Sequence, residues 1–409
     1  MAVPTPLVEV GFDLTETGTG PFFELDDPVK GVLDNTDWFI AGELFYDVTD
    51  RVRSINVTRG KNRTLDYYDA GLANVVFNNQ DRTFDPEYAA SPFYGQIIPK
   101  RSIRIRSGGQ YLFWGVVDDW NLDYDTNNEN TASAASSDAL TLFASQALSA
   151  STATAQFSGE RINAILSDTN VNWPLSDRDI ETGVQSLIAD EIAEGTNVLE
   201  YLRKVSRSEP GSLFIGANGD VVFRDRRTPA TSGGLVLADD GTGIPYFGMK
   251  VVYGSELLYN EVLIGSETAG TVIARDTDSI DEYGVLALTR TGLLMDDAKD
   301  VEDLAIYYAQ KYSQPEYRFE AVSLQVDQLT PEEQSQVLGI DIGDVLQIKF
   351  TPGGVAPAIS KYAEVIKVDN LIDPITHRIT LGFSTLDFSL LVLDDLVFGK
   401  LDNGNAVAF

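Results

Sequence analysis

Between Asp47 and Trp120 apolar residues keep returning two positions apart, a spacing that no helix can keep on one face. Ile55 and Val57 do so among polar neighbours, with Val52 three positions earlier, and so do Val75 and Phe77. Ile103 and Ile105 alternate with Arg101, Arg104 and Arg106, so one face is dry and the other carries guanidinium groups. Gly108-Gly109 supplies the turn into Tyr111–Val117. The pattern predicts an antiparallel β unit closed by a tight hairpin.

The rest of the chain is long enough to add to that unit. At 409 residues it has room for two or three domains, and 43% hydrophobic residues can fill their cores. There is no cysteine, which excludes disulfides, thiol catalysis and cysteine-bound zinc. No apolar run approaches the roughly 20 residues of a membrane span, and Met1-Ala-Val-Pro-Thr-Pro has neither the basic start nor the apolar centre of a signal peptide. The expectation is a soluble protein made in the cytoplasm. Lys and Arg number 30 against 62 Asp and Glu, a formal charge of −32. Such a chain repels nucleic acid unless its bases are segregated. The acids either keep the surface soluble or line a passage that DNA slides through.

In chain order, residues 1–46 read as an arm leading into a strand. Pro4, Pro6 and the Gly18–Pro21 cluster interrupt regular structure, while Phe22, Phe23, Trp38 and Phe39 suggest docking on neighbouring chains. Residues 47–150 form the first β domain, ending in a strand at Thr131–Ser136 and a helix from about Ser137 to Leu148, capped by Ser137 or Asp138. Residues 151–230 form a small α/β domain. Helices start at GERINAIL and at Asn197–Arg207, and a hairpin follows around Ala217-Asn218-Gly219. Residues 231–386 form a second β domain with one helix, Ala298–Tyr312, whose Val301, Leu304, Ala305 and Tyr308 share a face. Its strands fall at Val251–Tyr253, Glu261–Gly265, Val272–Ala274, Val285–Leu288, Phe319–Val326, Gly343–Ile348, Ala363–Val368 and Thr376–Phe383. Residues 387–409 are a tail in which FSLLVLDDLVF packs on the barrel or on a partner. The fold class is mainly β with an α+β insert: two β-barrel-like domains flanking a small α/β unit.

No catalytic constellation is visible. His377 is the single histidine, so any triad or histidine metal site would have to include it. It sits in a predicted strand or turn and reads as structural. Acid pairs at Asp26-Asp27, Asp118-Asp119, Asp239-Asp240, Asp296-Asp297 and Asp394-Asp395 are as frequent as this composition makes them, although a glycosidase would need two carboxyls across a cleft. Asp123, Asp125, Asn127 and Glu129 have the spacing that opens a calcium loop. Asn128 replaces the required Gly, and Ala134 stands where the bidentate Glu belongs, so a solvated loop is expected. Lys100–Arg106 is too short a basic stretch to overcome the net charge and reads as an edge pairing with acids. No catalytic, cofactor or metal residue is assigned, and the chain is read as a non-enzyme.

Several pieces in order resemble a known family. Arg59-Gly60, Ala70-Gly71, Asn78-Asn79, Asp81 to Pro86, Pro99 to Arg106 and Gly115 to Trp120 are similar to the minor tail proteins of long-tailed phages, those of actinobacteria above all. A helix ending Ser208-Glu-Pro-Gly before a strand–turn–strand resembles tail hub proteins. So does the succession Ser279–Gly284, helix, Pro315-Glu-Tyr-Arg318, Leu338–Asp344 and Thr376–Phe383. The resemblance implies a virion protein of the tail tip, the baseplate hub. As a homotrimer it would cap the tail tube, contact the distal tail protein, the tape measure protein and host-binding parts, and enclose part of an acidic channel for DNA in transit, with Asp118 and Glu320 as candidate lining residues. The alternatives are the distal tail ring adaptor and a receptor-binding or glycan-cleaving tail protein.

Overall fold

The alternation from Asp47 to Trp120 becomes the middle of a seven-stranded antiparallel unit in the computed structural model, which describes residues 4–12, 28–29, 44–226, 232–386, 390–391 and 406–407. The strands are β1 (Pro6–Phe12), β2 (Leu44–Asp47), β3 (Val52–Gly60), β4 (Asp69–Asn78), β5 (Ser102–Ser107), β6 (Gln110–Asp123) and β7 (Thr131–Ser137). They lie in the order β3-β4-β7-β6-β5-β1-β2. Ile55, Val57, Val75, Phe77, Ile103 and Ile105 are fully buried on the inner face, as their period-two spacing requires.

The loop Asp81 to Pro86 closes one end of this unit. Phe84 stacks on Phe77, with ring centroids 4.6 Å apart, and on Trp120 at 5.9 Å. Asn79 Oδ1 accepts the Phe84 amide at 2.9 Å, and Asp85 accepts from the Tyr124 hydroxyl at 2.8 Å. The Asn-Asn and D-x-x-F-D-P pieces are therefore a self-pinned corner.

The first part of the N-terminal arm is itself a strand. Pro6–Phe12 is a strand between β5 and β2, with Val8, Val10 and Phe12 fully buried in the chain's own core. Pro6 stands at the strand's first residue, a position that proline tolerates. This part of the arm therefore packs on its own chain, not on neighbours. Phe22, Phe23, Trp38 and Phe39 lie outside the described residues, as does Ser389–Phe398 apart from Leu390 and Leu391.

An α/β layer follows. It contains α1 (Ala139–Ser145), β8 (Ser151–Ala153), β9 (Gln156–Phe157), α2 (Ser158–Leu166), β10 (Arg178–Ile180), β11 (Ser186–Leu187), β12 (Asp190–Ile192), α3 (Val198–Ser208), β13 (Ser212–Ile215) and β14 (Val221–Arg224). Asp138 caps α1 through the Leu140 amide at 2.9 Å, and Asn197 caps α3 through the Glu200 amide at 3.1 Å. Three helices and the β13–β14 hairpin share one apolar core, around Phe143, Ile162, Leu202 and Phe223.

The remaining elements form two layers. β15 (Ser232–Ala238), β16 (Gly248–Gly254), β20 (Glu316–Gln325), β21 (Val345–Phe350), β22 (Ile359–Ile372) and β23 (His377–Leu386) make the second β unit. Between them β17 (Glu261–Ser266), β18 (Gly270–Arg275) and β19 (Ala287–Leu293) form a separate small sheet. Helix α5 (Ala298–Tyr312) packs its Val301, Leu304, Ala305 and Tyr308 against that sheet. Two short helices, α4 (Thr277–Tyr283) and α6 (Pro331–Leu338), come in addition to the single helix expected there.

The two β units share a strand. β22 pairs with β21 over Ile359–Glu364, then switches to β3 over Lys367–Ile372, while β23 follows its other edge from Tyr362 to Ile372. The switch falls at a bulge near Ile366, whose carbonyl accepts the Lys61 amide at 2.9 Å. Gly60 makes the close approach possible. Its φ is +117°, and a Cβ there would stand 2.2 Å from Ile366 O. Both β units contribute to one continuous apolar core.

Arg59 stands one pleat beyond Val57 on the same inner face, so the strand carries a guanidinium into the core. It is 3% exposed and bonds Asp341 at 2.6 Å. Asp341 also accepts the amides of Ala217 and Ile342 at 3.0 and 2.8 Å. Asp138 Oδ2 accepts the Gly71 amide at 2.6 Å, and the carboxyl feels the Arg59 charge. A buried charge is tolerated only when paired and bonded in this way. The Arg59-Gly60 piece is therefore where the first β unit, the α/β layer and the second β unit meet.

Two predictions follow from this junction. Gly60→Ala sets a methyl against the Ile366 carbonyl and should cost at least about 2 kcal/mol in urea unfolding. Gly109→Ala, with φ +85° but open space around it, should cost about 1 kcal/mol. Equal losses would mean that the β22 contact is not the constraint.

The second concerns His377, fully buried at the start of β23, with its Nε2–H donating to Asn370 Oδ1 at 2.9 Å. Burial lowers its pKa to about 4, while the unfolded value is near 6.5. Unfolding takes up a proton between those values, so this contribution to stability is complete above pH 6.5 and is lost as pH falls towards 4. Burial raises Asp138 to about 7, which gives the opposite slope. The readout is therefore a difference between variants. From pH 7 to 5 the wild type should lose about 2 kcal/mol more than His377→Gln. Parallel pH profiles would refute the assignment.

Candidate functional site

The charged residues singled out in the sequence are mostly satisfied locally. Arg104 grips both oxygens of Glu9 at 2.8 and 2.9 Å, Arg106 reaches the same carboxylate at 2.6 Å, and Arg104 lies 3.8 Å over the Phe45 ring. The Arg104 bond leads the effects that hold the Glu9 carboxyl below its usual range. The basic strand pairs with acids as expected, but it is an inner strand between β1 and β6 rather than an edge. Asp118 pairs with Lys100 at 2.5 Å and Glu320 with Lys250 at 2.8 Å. Each candidate channel acid thus carries its own counter-charge.

The acid pairs have individual structural duties. Asp239 accepts the Thr351 amide at 2.7 Å, Asp240 the Thr242 amide at 2.9 Å, and Asp297 caps α5 through the Lys299 amide at 2.8 Å. Asp26-Asp27 and Asp394-Asp395 lie outside the described residues. Asp123–Glu129 is an exposed turn in which Asp125 Oδ1 accepts the Asn127 amide at 3.1 Å. No group of three metal-ligating side chains occurs among the described residues.

What the sequence reading missed is a basic cleft. Lys61 follows β3, Arg203 and Arg207 lie four apart on α3, Arg290 is on β19 and Lys311 is on α5. None of these five has a carboxylate within ion-pair distance among the described residues. Tyrosine rings receive them instead. Arg203 and Arg207 lie 4.9 and 4.4 Å from the Tyr67 centroid, Lys61 4.4 Å from Tyr68, Arg290 5.0 Å from Tyr308 and Lys311 5.5 Å from Tyr307. Ring faces attract cations without neutralising them.

The residual bonds are few. Arg203 gives one nitrogen to the Tyr68 carbonyl at 3.2 Å and leaves Nε buried and unpaired. Lys61 donates to the Thr64 carbonyl at 3.0 Å, and Arg290 to the Tyr308 hydroxyl and the Leu65 carbonyl at 2.9 and 3.1 Å. Burial lowers the Lys61 ammonium to about 8; Arg290 and Lys311 add to this, while Glu364 and Asp66 oppose it. Burial also raises the Glu364 carboxyl against the pull of Lys61 and Lys311, which weakens it as a counter-charge. Between Lys61, Tyr67, Tyr68, Arg203 and Leu213 lies a cavity of about 40 Å³, with the exposed Asp66 at its rim. Arg203 and Arg207, spaced i and i+4 on a strongly amphipathic helix, were the available signal.

No protein-family model matches the chain, and no curated protein matches it in sequence. Solved structures do match. The tail protein from Neisseria meningitidis MC58 is similar with a TM-score of 0.58 at 11% identity, over 93% of this chain and 96% of that one. The 43 kDa tail protein of prophage MuSo2 from Shewanella oneidensis is similar with a TM-score of 0.55 at 13% identity, over 84% and 95%. At such identities the likeness concerns the backbone, and the chain has the fold of phage tail proteins.

Proposed function

We propose that the chain is a non-catalytic structural protein of a phage tail, positioned at the tail tip as the baseplate hub. In this reading it forms a homotrimer that caps the tail tube, joins it to the distal tail ring and host-binding parts, and encloses part of the channel for DNA. The observation that carries the reading is the extent of the fold likeness, 93% of this chain against 96% of a tail protein. The α/β layer and second β unit favour the hub over the distal ring adaptor, which the first β unit alone would fit. The local pairing of Asp118 and Glu320 shifts any acidic lining to other acids of the −32 total.

Cryo-electron microscopy of assembled tails carrying a tagged copy tests the proposal. Three copies at the tip are expected, with a net acidic inner surface. Six copies in a ring above the tip would make the chain the distal adaptor. A monomeric copy on a side fibre, with glycan binding or cleavage by the purified protein, would support a receptor-binding role. Deletion of residues 1–40 should destabilise the isolated protein, because β1 goes with the arm; a truncated chain with unchanged unfolding would contradict the inner position of that strand.

A further inference from the structure

The basic cleft is the least expected feature of so acidic a chain. With 62 carboxylates available for 30 bases, most cations can find a partner. Lys61, Arg203, Arg207, Arg290 and Lys311 instead gather where three layers meet, and they repel one another. Arg290 and Lys311 both act on Lys61, while Arg207, Arg290 and Lys311 all act on Tyr308. Like charges held together with only the weakened Glu364 and the exposed Asp66 to offset them cost folding energy, which an incoming anion would recover.

We propose that this cleft docks an acidic segment of a partner polypeptide, with one carboxylate entering between Tyr67, Arg203 and Lys61 and a second engaging Arg207. The cavity sets the scale. About 40 Å³ admits a carboxylate head or a few waters, far below the ~300 Å³ and more of a cofactor or sugar pocket. The guanidinium groups are already oriented by the Tyr67 ring, so little rotamer freedom is lost when their donors are taken. Nucleic acid fits less well. A phosphate backbone needs a run of bases along the surface, and outside the cleft the formal charge of this chain is strongly negative. A narrow slot also suits an extended segment better than the folded face of a second copy.

The test is calorimetric titration of the full chain with a hexaglutamate peptide at low and at 150 mM salt, beside a hexaserine peptide, a single-stranded DNA hexamer and inorganic phosphate. Hexaglutamate should bind one to one and weaken with salt. Its affinity should fall about tenfold or more in the double variant Arg203→Gln, Arg207→Gln. Arg207→Gln alone serves as the second variant. Among the described residues it makes no hydrogen bond or ion pair and lies over the Tyr67 ring, so it should keep the wild-type circular dichroism and still bind more weakly. Lys250→Gln, on another surface, should bind as the wild type does. Unchanged affinity in both arginine variants would overturn the proposal, and so would tighter binding of the DNA hexamer. A change of oligomeric state in Arg207→Gln without loss of peptide binding would make the cleft an interface between copies, which also overturns it. None of these outcomes depends on where the chain sits in a tail.

Discussion

The ladder between β3 and β22 is the constraint on which the rest depends. Six register pairs, from Gly60–Lys367 to Ile55–Ile372, turn two β units into one hydrogen-bonded path. The pairing requires the backbones to meet at Gly60 and Ile366, and it carries Arg59 into the core, where a carboxylate has to reach in to pair with it. Asp341 does so while also holding Ala217 of the α/β layer. One guanidinium thereby fixes the relative positions of three layers. Apolar contacts alone would fix them less sharply, because they are non-directional.

What was legible in the sequence was local. Period-two alternation located β3 to β6, and the helical spacing of Val301, Leu304, Ala305 and Tyr308 located α5 to the residue. Helix α6 was missed although Thr330, Pro331 and Glu333 spell a capping box with proline at its first position, and the structure shows both halves of it. Strand β1 was read as part of an arm because its prolines and the following glycines outweighed a short apolar run. The β3–β22 partnership could not be read, since no periodicity reports which strand pairs with which. The basic cleft was hidden for the same reason: its five cations come from four separate stretches, and only Arg203 and Arg207 are neighbours on one face.

Charge in this chain is managed residue by residue. Carboxylates cap helices, close turns and match individual lysines and arginines, so a net −32 is compatible with cores that hold few unpaired charges. The glutamate at position 9 serves two arginines at once.

The shared strand also has a consequence for biosynthesis. The outer edge of β3 is made early, but its partner emerges from the ribosome only about 300 residues later. At 5 to 20 residues per second that is a wait of roughly 15 to 60 seconds. During that time the nascent first unit shows an unpaired strand edge with the Arg59 guanidinium beside it and no Asp341 to meet it. An open edge invites pairing with other chains, and a charged side chain on its inner face disfavours such capture. The arginine that later locks the layers together would thus act first as a guard on the growing polypeptide.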